Sequence, residues 1–387
     1  MIMKKSSNKG AGGAGASAKA GASDKPKKKS SFSLGGKKTS ATSSKSVIGL
    51  DVSDNTVKMV HVTGKDMSKL KLEGFAVRDL PTQSIVDGKV QNLANVVGVV
   101  QNAARAMNTK TAVVGLPTNL VTTLNFNYDA NTGLDLEKAS EYEVSQVANV
   151  DDVNFDFFNV AKNDDGTDFT MIVMAKVEDS EMYKTIASES GLQLSYLDLE
   201  LAGRINAFTH WINNYQPNLS NSLLGLFDIG ESVSQALFVQ AGKILFKQEF
   251  TACGRVLTRD IQRNQGISFE EAERIKRSQI SSGGAGISDL VAMYRGQVAS
   301  EIQRVMQFFN TVSTASTTGE VEQLLITGGG SICPGLAEEV ANATGIGARC
   351  VHPVSSIQPG SKINAASFEA DAPRLTSAFG LALRGLL

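Results

Sequence analysis

Cysteine and histidine are scarce in this chain, with three of each in 387 residues. The cysteines, Cys253, Cys333 and Cys350, are odd in number and lack C-x-x-C spacing, which excludes a disulfide framework and a zinc–thiolate site and fits a reducing compartment. His61, His210 and His352 are scattered with no H-E-x-x-H pair, so zinc hydrolase chemistry has no ligand set. Long apolar runs are missing too: none reaches the roughly 18 residues of a membrane-spanning helix. The basic N-terminus has no hydrophobic segment behind it, so a secretory signal is not expected.

Acid is nearly absent from residues 1–46, which hold eleven lysines, no arginine and the single acid Asp24, for a net charge of +10. The remainder carries a net −11, so a basic tail hangs on an acidic body. With almost nothing to bury, residues 1–46 are expected to be disordered. They read as a solubilising leader rather than a polybasic arm for lipid or nucleic acid.

The whole chain has 42% apolar residues, enough for two or three domain cores. Val47 to Asp51 reads as a buried strand, followed by a polar turn and an alternating strand from Thr56 to Val62. Residues 91–107 carry helical periodicity, and Thr111 to Leu116 is a strand stopped by Pro117. From about 129 to 197 the pattern predicts a smaller helix–strand–strand–helix–strand stretch, and 199–215 reads as a helix. The opening pattern returns 177 residues on, where the strand Leu224 to Asp228 again ends in aspartate before a turn and further strands. One α/β plan used twice is therefore expected. Ser268 and Glu271 form an S-x-x-E helix start, and Leu290, Met293, Tyr294, Val298, Ile302, Val305, Met306, Phe309 and Val312 make one stripe of a long helix at 288–312.

A strand ending in aspartate before a tight polar turn offers backbone N–H groups to an anion, with the carboxylate needing a divalent cation between it and phosphate. The first such turn holds Asp51, Ser53, Asn55 and Lys58; the second holds Asp228, Gly230 and Ser232. Lys58 can set an ammonium on phosphate as a point charge. The strand Leu324–Thr327 runs into Gly328, Gly329 and Gly330, where bare backbone can approach a flat base or ribose, ahead of a helix expected near Pro334. Glu273, Lys276 and Arg277 share one helix face, suited to ribose hydroxyls and to base or phosphate.

These four elements, in this order, resemble the phosphate-1, phosphate-2, nucleoside-helix and adenosine motifs of the actin-like ATPase superfamily. Within it, three stretches resemble the PilM family of type IV pilus assembly proteins: Phe250 to Arg274, Gly328 to Leu336, and Ala370 to Arg384. The likeness spans about 47–387. Ser53 and Cys253 stand where most relatives keep glycine, Glu231 where many have a small residue, and Val147 to Val153 replaces a proline-containing segment.

The resemblance implies a two-lobed, FtsA-like fold with duplicated mixed-sheet halves. It divides the chain into a tail (1–46), a first lobe (47–221) carrying a small inserted α/β subdomain at about 121–197, and a second lobe (222–387). It implies ATP as cofactor, adds Gly254 to the nucleotide contacts, and places Mg2+ on Asp51 and Asp228, through water. It further implies a cytoplasmic scaffold peripheral to the inner membrane. That scaffold binds the N-terminal tail of PilN in a groove sought around Val113–Thr123 and residues 135–147, and links it to the motor ATPase and platform protein of the pilus machine. Self-association is compatible with the resemblance. No general base stands out, so at most slow ATP hydrolysis is expected. The alternatives are an FtsA- or MreB-like filament former, which would polymerise, and a small-molecule kinase, which would need an acceptor pocket that has no motif here.

Overall fold

The computed structural model describes residues 45–163, 165–280, 286–313 and 319–387. The tail expectation therefore lies outside the described residues, apart from Lys45 and Ser46, which open the first strand.

That strand, β1 (Lys45–Val52), pairs antiparallel with β2 (Thr56–Gly64), which in turn pairs with β3 (Leu70–Asp79). A ribbon of β4 (Ile85–Val86) and β5 (Lys89–Val90) leads into α1 (Leu93–Ala104), whose first turn is capped by the Asn92 side chain accepting from the Asn95 N–H. β6 (Thr111–Leu116) lies parallel to β1. β7 (Val121–Tyr128), α2 (Leu136–Ser145), β8 (Val153–Lys162) and β9 (Asp168–Lys176) then build a separate sheet in the order β7-β9-β8. α3 (Val177–Glu189) and β10 (Gln193–Leu199) follow, and β10 pairs parallel with β6. These last two elements, placed by the sequence pattern in the insert, thus belong to the first sheet. A parallel pair requires a crossover, and α3 supplies it by burying Tyr183, Ile186 and Ala187 in the same core as Leu50 and Val114.

After α4 (Glu200–Tyr215) the plan repeats with β11 (Leu223–Asp228), β12 (Ser234–Gln240) and β13 (Lys243–Phe250). α5 (Gly254–Gln265), α6 (Phe269–Gln279) and α7 (Ser288–Val312) come next, then β14 (Gln323–Thr327), α8 (Leu336–Thr344) and β15 (Ala348–Cys350). The second sheet runs β13-β12-β11-β14-β15, strand for strand the arrangement β3-β2-β1-β6-β10 of the first, with the same antiparallel and parallel pairings. α7 buries Tyr294, Val298, Ile302, Val305, Met306 and Phe309 as its stripe predicts, whereas Met293 and Val312 at the margins are exposed. α8 departs from expectation. Gly329–Ile332 form a 3-10 turn and α8 begins at Leu336, capped by Gly335 at φ 79°, because this left-handed residue, not Pro334, turns the chain into the helix.

The chain then leaves the second sheet. β16 (Gln358–Pro359) pairs with β3, and after α9 (Ala365–Asp371) the last helix, α10 (Thr376–Leu386), lies on β1. Phe379, Leu381 and Leu383 are fully buried there, each contributing about 2 kcal/mol. A Cβ on Gly49 would collide with the backbone of Ala378, and one on Gly380 with the Gly203 carbonyl. Glycine at these two crossings lets β1, α10 and α4 stack closely enough to bring Asp51, Arg204 and Ser377 to one cleft.

Candidate functional site

The ends of β1 and β11 face a cleft of about 590 Å³ between the two sheets. All fourteen residues singled out from sequence line it, from the Asp51 and Asp228 turns through Gly254 and the Glu273 helix face to Gly328, Gly329 and Gly330. They come from stretches far apart in the chain and meet because the two repeats present equivalent strand ends to each other.

In the first hairpin Asp51 and Lys58 are register partners across β1 and β2, so their side chains emerge on one face. Lys58 Nζ lies 3.0 Å from Asp51 Oδ2 and donates to Ser53 Oγ at 3.3 Å. In the second hairpin the register partner of Asp228 is the neutral Gln235. The missing cation arrives from α4 instead: Arg204 Nε is 3.3 Å from Asp228 Oδ2, and its Nη1 donates to Gln235 Oε1 at 2.7 Å. Arg204 Nη2 also meets Glu200 Oε1 at 2.5 Å and Nε donates to Ser377 Oγ at 3.2 Å.

The two turns touch. Asn55 Nδ2 donates to Glu231 Oε2, and Arg255 holds the same carboxylate in bidentate fashion at 3.1 Å to each oxygen. Gly254 N–H donates to the Gly230 carbonyl at 2.8 Å, fastening the start of α5 to the second turn. On α6, whose Ser268 caps the Glu271 N–H as its motif predicts, Glu273 receives Lys276 at 2.6 Å and Arg277 at 2.8 Å, with Thr258 donating at 2.6 Å. Lys276 also donates to the Gly254 carbonyl at 3.2 Å. The glycine turn needs its composition: Gly328 sits at φ 92°, and a Cβ there would collide with Asp228 Oδ1 and the Ile229 carbonyl. One on Gly330 would strike the Tyr294 hydroxyl.

Burial pushes the Asp51 carboxyl up from its ordinary value, with Lys58 pulling back, and does the same to Asp228 against Arg204. Burial also works against the Lys58 charge, but Asp51 and Glu200 outweigh it and its pKa is raised. Arg204 follows suit, since Glu200 and Asp228 outweigh its burial. Glu273 is held down to about 2, since Lys276 and its hydrogen bonds overcome burial. Lys276 is lowered by burial.

The residues fit a nucleotide. The cavity is large enough, the glycine turn after β14 borders it, and Lys58, Lys276 and Arg277 reach its wall. Asp51 and Asp228, expected to hold Mg2+ through water, are each paired with a side-chain cation, Lys58 at 3.0 Å and Arg204 at 3.3 Å, an arrangement compatible with a water-mediated ion. Sequence reasoning missed Glu200, Arg204, Arg255 and Arg374, which also line the cleft. The Glu200–Arg204 spacing of four on a helix was the one available signal for an ion pair. Arg255 and Arg374 sat inside motif stretches without a role.

Two equivalent sheets closing on a cleft, each offering an aspartate-ended hairpin, define an actin-like ATPase fold. The chain belongs to the family of the type IV pilus assembly protein PilM, whose model matches residues 49–386. Among solved structures it is similar to one of the PilM-PilN type IV pilus biogenesis complex, at 20% identity and a TM-score of 0.72, covering 88% of this chain and 98% of that one. It is also similar to the ethanolamine utilization protein EutJ from Carboxydothermus hydrogenoformans, at 14% identity and a TM-score of 0.54, covering 89% of this chain and 91% of that one. No helix among the described residues is long and apolar enough to cross a membrane.

Proposed function

We propose that this chain is a nucleotide-binding scaffold of type IV pilus assembly that holds ATP in the cleft and the N-terminal cytoplasmic tail of PilN on its first lobe. The observation that carries the nucleotide half is the convergence of all fourteen sequence-selected residues on one cleft. Family membership supports the pilus role, and the solved PilM-PilN complex supports PilN as partner. The peptide groove is sought where β6 hands over to β7, along Thr118–Leu120 and the nearby α2, because β7 is the outer strand of its small sheet. In this reading the protein sits in the cytoplasm at the inner membrane through its partner and links PilN to the motor.

Hydrolysis is slow at most in this reading. Glu200, a carboxylate at the cleft, is tied to Arg204 at 2.5 Å, and no general base stands out in the sequence. Pull-down with a peptide copying the N-terminus of the cognate PilN, with and without ATP, tests the assignment. Retention of the peptide, altered by nucleotide, is expected; no retention in either condition refutes the partner reading. Turnover comparable with a dedicated kinase would refute the scaffold reading.

A further inference from the structure

Glu231, in the turn after β11, is held by donors drawn from both sides of the cleft. Arg255 grips its carboxylate at 3.1 Å to each oxygen, and Ser232 Oγ donates to Oε2 at 2.5 Å. Asn55 of the first turn donates to that same oxygen. Arg255 Nη2 also donates to Ser232 Oγ at 2.5 Å, so guanidinium and hydroxyl are tied to each other as well. All four residues line the cleft, and the Glu231 and Arg255 side chains are 29% and 31% exposed, within reach of a ligand.

A guanidinium fork, a hydroxyl and an amide N–H converging on two oxygens form a donor set suited to a phosphate group. Here the oxygens belong to the protein's own side chain. Burial works against the Glu231 charge, but the bonds from Arg255 and Ser232 outweigh it and hold its pKa below the ordinary value. The seat does not depend on its occupant. Arg255 N–H donates to the Glu231 carbonyl and Gly254 N–H to that of Gly230, each at 2.8 Å. These main-chain bonds keep Arg255 beside the turn whichever way the Glu231 side chain points.

We propose that Glu231 is a resident competitor for phosphate: its carboxylate fills a phosphate seat formed by Arg255, Asn55 and Ser232, and so sets how tightly the cleft takes a nucleotide. This rests on the nucleotide reading above. A phosphate entering between the turns takes over Arg255 and displaces the carboxylate, which breaks the Asn55–Glu231 link between the hairpins. A nucleoside without phosphate leaves that link intact, so Glu231 acts on the phosphate end of the ligand alone.

The test is calorimetric titration of the full-length chain with magnesium ATP and, separately, with adenosine. The parent is compared with Glu231→Ala, with Glu249→Ala, and with Glu231→Ala combined with Arg255→Gln. Glu231→Ala is expected to bind ATP about fivefold more tightly or better, with the response to adenosine unchanged. Glu249 lines the same cleft but meets Gln235 at 3.3 Å, so Glu249→Ala shows the gain from removing a negative charge alone, which should be smaller. Adding Arg255→Gln should abolish the gain, because the freed guanidinium carries it. The inference is overturned by a Glu231→Ala that binds ATP no better than the parent, by equal gains for ATP and adenosine, by an equal gain in Glu249→Ala, or by a gain that survives loss of Arg255. Each of these outcomes leaves the nucleotide reading standing, whereas absence of ATP binding in the parent and every variant overturns that reading itself. If the double variant fails to fold, as judged by circular dichroism, the two single variants and two ligands still decide the claim.

Discussion

Arg277 on α6 grips both carboxylate oxygens of Asp79 at the end of β3, at 2.9 and 2.8 Å, so an ion pair spans the mouth of the cleft from one sheet's domain to the other. Arg277 is also bound to Glu273 at 2.8 Å, which makes one guanidinium both a wall of the cleft and a clasp between its sides.

Asp79→Asn should therefore speed nucleotide release severalfold while leaving the melting temperature close to that of the parent. Asp79 is 60% exposed, and pairs that exposed contribute only about 0–1 kcal/mol to folding. Stopped-flow chase of a fluorescent ATP analogue measures the release rate; an unchanged rate shows that the clasp does not gate the cleft.

Lys58→Met should destabilise the chain by about 3 kcal/mol, because Asp51 is left buried without its partner. Asp51→Asn together with Lys58→Met should cost clearly less than the sum of the two single changes. Urea unfolding of the four proteins in the cycle measures the coupling, and simple additivity contradicts the pair.

Glu273 makes stability depend on acid. Its carboxyl titrates near 2 when folded against an ordinary 4.5, so the unfolded chain binds the proton first as pH falls. The contribution is fully present above 4.5 and is lost as pH drops toward 2. Glu273→Gln should flatten this part of the stability–pH curve, read as the urea midpoint at successive pH values. A variant curve parallel to the parent's would show that Glu273 carries none of the slope.

Gly328→Ala should destabilise by about 2 kcal/mol or more and abolish ATP binding, since the φ of 92° is unfavourable for alanine and its methyl meets Asp228 and Ile229. Gly345→Ala has a φ of 74° in the left-handed helical region with open space around it, a milder backbone strain than the extended, positive-φ conformation of Gly328 (φ 92°, ψ 165°), so it sets a lower bound on strain without steric conflict. Denaturant melts and ATP titration of both variants make the comparison; a loss at Gly328 no larger than at Gly345 would remove the argument for Gly328.

Much of this site was readable from the chain because its parts are local. Asp51 and Lys58 face each other across a hairpin whose alternation is written in eight consecutive residues, and Glu273, Lys276 and Arg277 share a face through helical spacing alone. The glycine run after β14 is visible as composition, whereas the atoms that leave no room for a Cβ there, on Asp228, Ile229 and Tyr294, come from distant segments. The repeat of the aspartate-ended strand foretold the matching sheets, since similar local patterns form similar hairpins.

Other relationships had no local trace. Arg204 reaches Gln235 over 31 residues and Ser377 over 173, and Arg277 reaches Asp79 over 198. α3 and β10 joined the first sheet although their pattern ran on from the insert, and α10 crossed back to cover β1 although it follows the second repeat. Periodicity states which face of an element is apolar but not which apolar face elsewhere will meet it. That choice falls to packing over the whole molecule, where Gly49 and Gly380 permit one close crossing and thereby bring the far-separated charges of the cleft together.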